Sequence, residues 1–182
     1  MPRFVGIIKK KLLPNLGMAV EIVDENKLRE LSDEERFSAC EYILKNDVDE
    51  SKRWDATWLI GELAENRNEG DPLFDKVADL VEWTIKNDHN GIVKHEACYQ
   101  IAGRNMKSKI PILIEAALND KSILTRHEAL ESLGLMRAFD AIDLIRDAEN
   151  DPSIDIRETA RFVIKRLKRL KNHGEYKVIN IL

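Results

Sequence analysis

Two His-Glu steps, His95-Glu96 and His127-Glu128, lie 32 residues apart in this chain. Imidazole and carboxylate together are good ligands for Fe(II), Mn(II) or Zn(II). Two His and one carboxylate with open positions make the ligand set of non-haem iron oxygenases. A lone His-Glu step on a helix is most often a solvated surface. Here, however, the chain has only four His, and two of them recur at one spacing, each followed by Glu. His89 and His173 have no such counterpart and read as surface residues. The metal reading therefore places His95, Glu96, His127 and Glu128 in one ligand set.

The elements that must position them follow from an internal repeat. Asn-Asp occurs at Asn46-Asp47, Asn87-Asp88, Asn119-Asp120 and Asn150-Asp151, at intervals of 41, 32 and 31 residues. Six residues after each Asp comes a basic residue: Arg53, Lys94, Arg126 and Arg157. Then come an Ala column (Ala56, Ala97, Ala129, Ala160) and an aliphatic column (Ile60, Ile101, Leu133, Ile164). A fixed period in this range marks a solenoid of helical pairs. N-cap types at Asp49, Asn90, Ser122 and Ser153 predict first helices near 50–62, 91–104, 123–136 and 154–169. Second helices are predicted at 74–86, 109–118 and 138–149, with 34–45 ending an incomplete leading repeat. The stretch AENRNEGDP at 64–72 reads as a loop inserted in the first interval.

The expectation is an all-α solenoid of HEAT-like hairpins, one domain over 1–182. Its repeats would span 46–86, 87–118, 119–149 and 150–170, with a partial repeat at 20–45. Stacking makes equivalent positions on successive first helices spatial neighbours. Each His lies two residues before its core Ala, roughly 200° round the helix, so it points away from the packed stripe. Both imidazoles sit in the first two turns, where the helix dipole disfavours imidazolium and so favours a neutral ligand.

Composition narrows the function classes. With 34% charged residues, 8 Gly and 5 Pro, long helices are favoured over sheets. A net charge of −4 gives no global pull toward nucleic acid. No apolar run is long enough for a transmembrane segment. The two cysteines, Cys40 and Cys98, read as half-buried reduced thiols, consistent with a cytoplasmic setting. The basic and apolar N-terminus lacks the pattern of a signal peptide and reads as a terminal helix, with an amphipathic membrane-surface helix as the alternative. The tail EYKVINIL is β-prone. Trp54 and Trp58, one turn apart, read as core packing, with a ligand groove as the alternative. The run from Lys165 to Lys171 reads as a solvated basic face.

KHEACYQIAG at 94–103 and RHEALESLGLM at 126–136 resemble the His-Glu repeats of deoxyhypusine hydroxylase. That family consists of HEAT-repeat, non-haem di-iron monooxygenases built from two similar halves, each with two His-Glu steps. The resemblance covers residues 46–170, one such half. It implies that His95, His127 and Glu128 bind one Fe(II) per chain, with another divalent metal as a substitute. Glu96 would be a further ligand, or a base and substrate contact, so Glu96 and Glu128 are the candidate catalytic residues. The chain departs from the family in having two His-Glu steps where the family has four. A homodimer would restore four and place two irons per dimer. A protein substrate or partner would occupy the concave groove. The repeat pattern is also shared with HEAT scaffolds that bind partners without catalysis, and with bilin lyases.

Overall fold

The computed structural model describes residues 24–173, all of its regular structure helical. The expectations for the N-terminal basic segment and for the EYKVINIL tail lie outside the described residues. The helices are α1 Glu25–Arg29, α2 Asp33–Asn46, α3 Glu50–Glu62, α4 Pro72–Asn87, α5 Gly91–Gly103, α6 Ile110–Asn119, α7 Ile123–Leu135 and α8 Ile154–His173. Two layers result. The first helices α3, α5, α7 and α8 pack side by side in chain order, and α2, α4 and α6 back them.

Each boundary has a local cause. Asp49, Asn90 and Ser122 cap α3, α5 and α7 by accepting hydrogen bonds from backbone N–H groups of the first turn. Asp71 caps α4 in the same way, with Pro72 at the position where a missing N–H costs nothing. The insertion between α3 and α4 is a run of turns, with Asn66 and Gly70 at positive φ. The Ala column is fully buried in all four repeats. Small side chains there let neighbouring first helices approach closely, while Ile60, Ile101, Leu133 and Ile164 fill the layer beneath.

One predicted element is replaced. Residues 138–149 do not form a continuous helix but two 3₁₀ turns, Phe139–Ala141 and Arg146–Asn150. Asp140, Asp143 and Asp147 crowd this short segment, and Asp side chains compete with helical hydrogen bonding. Ala141, Ile142, Ile145 and Ala148 are still buried, so the segment closes the core without a regular helix.

The Asn-Asp register has a structural explanation that the sequence alone did not supply. Each Asp accepts from the backbone N–H two residues on, at 2.8–2.9 Å. It thereby fixes the turn into the first helix. The basic residues then tie one repeat to the next. Arg53 Nε donates to Asp88 Oδ2 at 2.7 Å, Lys94 Nζ to Asp120 Oδ1 at 2.7 Å, and Arg126 Nε stands 2.9 Å from Asp151 Oδ2. Arg53, Arg126 and Arg157 also donate to the carbonyl of their own repeat's Asp. This ladder sets the stagger of the first helices and therefore of everything they carry.

Candidate metal centre

The first-helix face carries one row of equivalent pairs: Trp54-Asp55, His95-Glu96, His127-Glu128 and Glu158-Thr159. Both imidazoles are half-exposed, as the helical phase requires. The carboxylates are deeper than expected, with Glu96 5% and Glu128 7% exposed. They sit between helices, beneath the histidines.

Glu96 is held from one turn further along its own helix, and Ser132 stands at the same spacing from Glu128. Gln100 Nε2 donates to Glu96 Oε1 at 2.7 Å, and Ser132 Oγ stands 3.4 Å from Glu128 Oε1. These supports are braced in turn by the preceding repeat. Ser132 Oγ donates to the Cys98 carbonyl at 3.0 Å. Gln100 lies against Gly61, where an added Cβ would fall 1.8 Å from the Gln100 amide oxygen. An alanine at position 61 would therefore force the Gln100 side chain to move. Sequence reading missed Gln100, Ser132 and Gly61, although Glu-to-Gln and Glu-to-Ser spacings of four residues on one helix face were legible signals.

Each His reaches toward the Glu position of the next repeat. His95 Nε2 lies 3.1 Å from Glu128 Oε2. His127 Nδ1 lies 2.9 Å from the hydroxyl of Thr159, which occupies the equivalent position. Thr159 Oγ1 already donates its proton to the Asp155 carbonyl at 2.8 Å. The hydroxyl then accepts from His127 Nδ1, and Nε2 on the far side of the ring stands 3.8 Å from Glu131 Oε1. Thr159 thus orients His127 in the way that an outer-shell partner orients a metal-binding imidazole.

The electrostatics correct one expectation. The helix dipole was expected to hold His95 neutral, yet its pKa is raised, chiefly by the hydrogen bond to Glu128. A directly bonded carboxylate outweighs the diffuse field of a helix end. Burial pushes Glu96 up, with the Gln100 hydrogen bond opposing it. Among the described residues neither buried Glu forms an ion pair with Lys or Arg, and the His95 imidazole beside Glu128 is the one ion-pair partner of either. By contrast, Asp88, Asp120 and Asp151 of the ladder are all neutralised by Arg or Lys. Two buried, under-compensated carboxylates beside nitrogen ligands suit a divalent cation. Among the described residues, no group of three or more His, Cys, Asp or Glu side chains is arranged to hold an ion as it stands. The structure joins His95 to Glu128 and sets His127 apart with Thr159.

Two other expectations change. Trp54 and Trp58 are not core residues. They are half-buried on the first-helix face, where Trp54, Trp58 and Tyr99 form a series with centroids 6.1 and 6.4 Å apart and planes within 16° and 7°. Cys40 and Cys98 are fully buried, not half-buried, and burial raises both thiols, Cys40 to about 12. His89 is exposed, as expected. No helix among the described residues is long and apolar enough to cross a membrane.

Comparison with known proteins agrees with this architecture. The family described as HEAT repeats matches residues 77–165. The chain is an all-α solenoid of HEAT repeats. Deoxyhypusine hydroxylase of Danio rerio is 35% identical over 102 residues, covering 54% of this chain and 33% of that protein. The Debaryomyces hansenii enzyme is 31% identical over 125 residues, covering 67% of this chain and 38% of that one. The structure of human deoxyhypusine hydroxylase in complex with glycerol superposes with a TM-score of 0.65 at 22% identity, over 82% of this chain and 49% of that chain. Within the HEAT-repeat class, this is a deoxyhypusine hydroxylase-like chain. It spans about a third of the length of the curated relatives it matches.

Proposed function

We propose that the chain is a metal-dependent hydroxylase resembling deoxyhypusine hydroxylase, with its site on the His95-Glu96 and His127-Glu128 row. The observation that carries this reading is the pair of buried carboxylates, in adjacent repeats, that lack a Lys or Arg partner among the described residues and lie beside half-exposed imidazoles. His95, His127 and Glu128 would hold one divalent ion per chain, with Glu96 as a fourth ligand or as a proton-holding group. Bound Fe(II) would supply the electrons that activate O₂ for hydroxylation of a side chain or small molecule.

The protein's own contributions are positioning and proton placement. Thr159 fixes the His127 ring so that Nε2 faces outward. Gln100 fixes Glu96, His95 stands against Glu128, and the closely packed first helices keep water from both carboxylates. Gln100 engages Oε1 of Glu96, which leaves Oε2 to carry a proton in a group whose pKa burial already raises.

A homodimer with the two rows facing each other would assemble four His-Glu steps from two chains. Four Glu facing one another would repel, and divalent ions would offset that repulsion. Fe(II) should therefore tighten the dimer and chelator loosen it. Sedimentation tests this arm, and a strictly monomeric, metal-loaded chain ends the di-iron version.

A second reading is a scaffold that grips a partner without catalysis. Exposed Ile92, Ile123, Leu124 and Ile154 beside the row favour it. Elemental analysis of the purified chain separates the two, since a scaffold has no need of stoichiometric metal.

A further inference from the structure

His95 and Glu128 stand on different helices, α5 and α7, so their contact depends on the gap between the two. His95 Nε2 lies 3.1 Å from Glu128 Oε2 across it. One turn back, Gly91 is the first residue of α5. The other first helices begin with Glu50, Ile123 and Ile154, all of them exposed. At Gly91 there is no room for a side chain: an added Cβ would fall 2.1 Å from Ser122 Oγ and 2.8 Å from Ser122 Cβ. We propose that Gly91 is a positioning residue. By letting α5 start directly against the N-cap of α7, it sets the gap that His95 spans to Glu128, and with it the affinity of the row for a divalent ion. The affinity rests on the metal reading above; the gap does not.

The first support is what Gly91 touches. Ser122 is the N-cap of α7, and its hydroxyl accepts from the Thr125 backbone N–H at 3.3 Å. Turning that hydroxyl away would relieve the nearer clash but give up the cap. The Cβ clash would remain, because Ser122 Cβ moves only with its backbone. An alanine at 91 must therefore push the two helix starts apart.

The second support is how α5 is held. Lys94 Nζ donates to Asp120 Oδ1 at 2.7 Å, and the same oxygen accepts from the Ser122 backbone N–H at 2.8 Å. Arg53, Arg126 and Arg157 each clamp the carbonyl of their own repeat's Asp, whereas Lys94 donates to both oxygens of Asp120. The start of α5 is thus drawn onto the turn at 120–122, and glycine lets it arrive there. The third is reach. Residues four apart share one helix face, so a shift at Gly91 passes to His95 through a single hydrogen-bonded turn.

A crystal structure of metal-free Gly91→Ala should show His95 and Glu128 drawn out of hydrogen-bond reach. In an anaerobic competition titration, this variant should bind Fe(II) about tenfold or more weakly than wild type. Gly103→Ala makes the same change in the same helix, where an added Cβ meets only Tyr99 Cε1, at 3.9 Å. It should leave the contact and the affinity unchanged. The double exchange Gly91→Ala/Ser122→Gly moves the bulk to the other side of the gap, and glycine is tolerated at an N-cap. It should restore the contact and bring the affinity to within about twofold of wild type. An intact His95–Glu128 contact or an unchanged affinity in Gly91→Ala would overturn the proposal. So would a double variant that folds but binds as weakly as Gly91→Ala. If Gly91→Ala fails to fold, the double variant must fold and bind like wild type, and its failure to do so counts against the proposal. A wild-type chain that binds no Fe(II) defeats the metal reading, and the crystal structures then decide the role of Gly91 in setting the gap.

Discussion

Two rows run side by side along the first helices, and they treat repetition differently. The ladder row keeps one chemistry in every repeat: an Asp that closes the turn and a basic residue that reaches the next Asp. The site row changes at each step, from Trp54-Asp55 through two His-Glu pairs to Glu158-Thr159. Asp88, Asp120 and Asp151 of the ladder are neutralised by Arg or Lys, whereas among the described residues the buried carboxylates of the site row are not. What repeats without change holds the stack together, and what departs from the repeat is free to do chemistry.

The sharpest way to break this comparison is to cut a rung. Arg53 and Asp88 are almost completely buried, at 3% and 2% side-chain exposure. Arg53→Ala strands a buried carboxylate and should cost about 3–5 kcal/mol of stability in denaturant unfolding. If metal binds at the site row, the folded fraction of this variant should bind it with unchanged affinity.

The converse cut is Thr159→Val, which removes the acceptor that fixes the His127 ring while keeping the shape. It should lower metal affinity by about 10- to 100-fold in a competition titration while shifting unfolding little. Unchanged affinity would show that Thr159 plays no part in orienting His127.

The N-terminal end of the stack supplies a pH test. Burial pushes Glu62 up, but hydrogen bonds from Arg29 and Arg36 outweigh it and bring the group down from 4.5 to about 2. Because the folded value lies below the unfolded one, the contribution is complete above about 4.5 and is lost as pH falls toward about 2. Its size should be about 1–3 kcal/mol, reduced from the full linkage value by partial exposure to solvent. Glu62→Gln should flatten the acid limb of stability against pH over that window. A parallel acid limb in the variant would contradict the assignment.

The smallest effect belongs at the last rung. Arg157 donates to the Asp151 and Pro152 carbonyls of its own repeat instead of to an Asp of a following one. Arg157→Ala should cost only about 0.5–1.5 kcal/mol in the same unfolding experiment. A loss as large as that of Arg53→Ala would erase the distinction between a rung that bridges repeats and one that does not.

Much of this was legible in the sequence because a repeat states its rule several times. The first helices fall where the N-cap residues predict, and the Ala column is buried throughout. The 138–149 segment was not legible. Its apolar spacing is that of a helix, and only the crowding of Asp140, Asp143 and Asp147 hints that short 3₁₀ turns win. The site was legible in its residues but not in their depth. Helical phase places His95 and His127 outward correctly. It cannot say that Glu96 and Glu128 tuck between helices, because that depends on the stagger set by the ladder. The Trp54–Trp58–Tyr99 series likewise joins two repeats and appears only once they are stacked.

Elemental analysis of the purified chain tests metal binding at the His-Glu row most directly. The wild-type chain should carry about one iron, or a substituting divalent ion, per chain. The double variant His95→Ala/His127→Ala should carry none while keeping its helical circular dichroism. Full occupancy in that double variant, or a wild-type chain that binds no divalent metal when Fe(II) is supplied anaerobically, would contradict it.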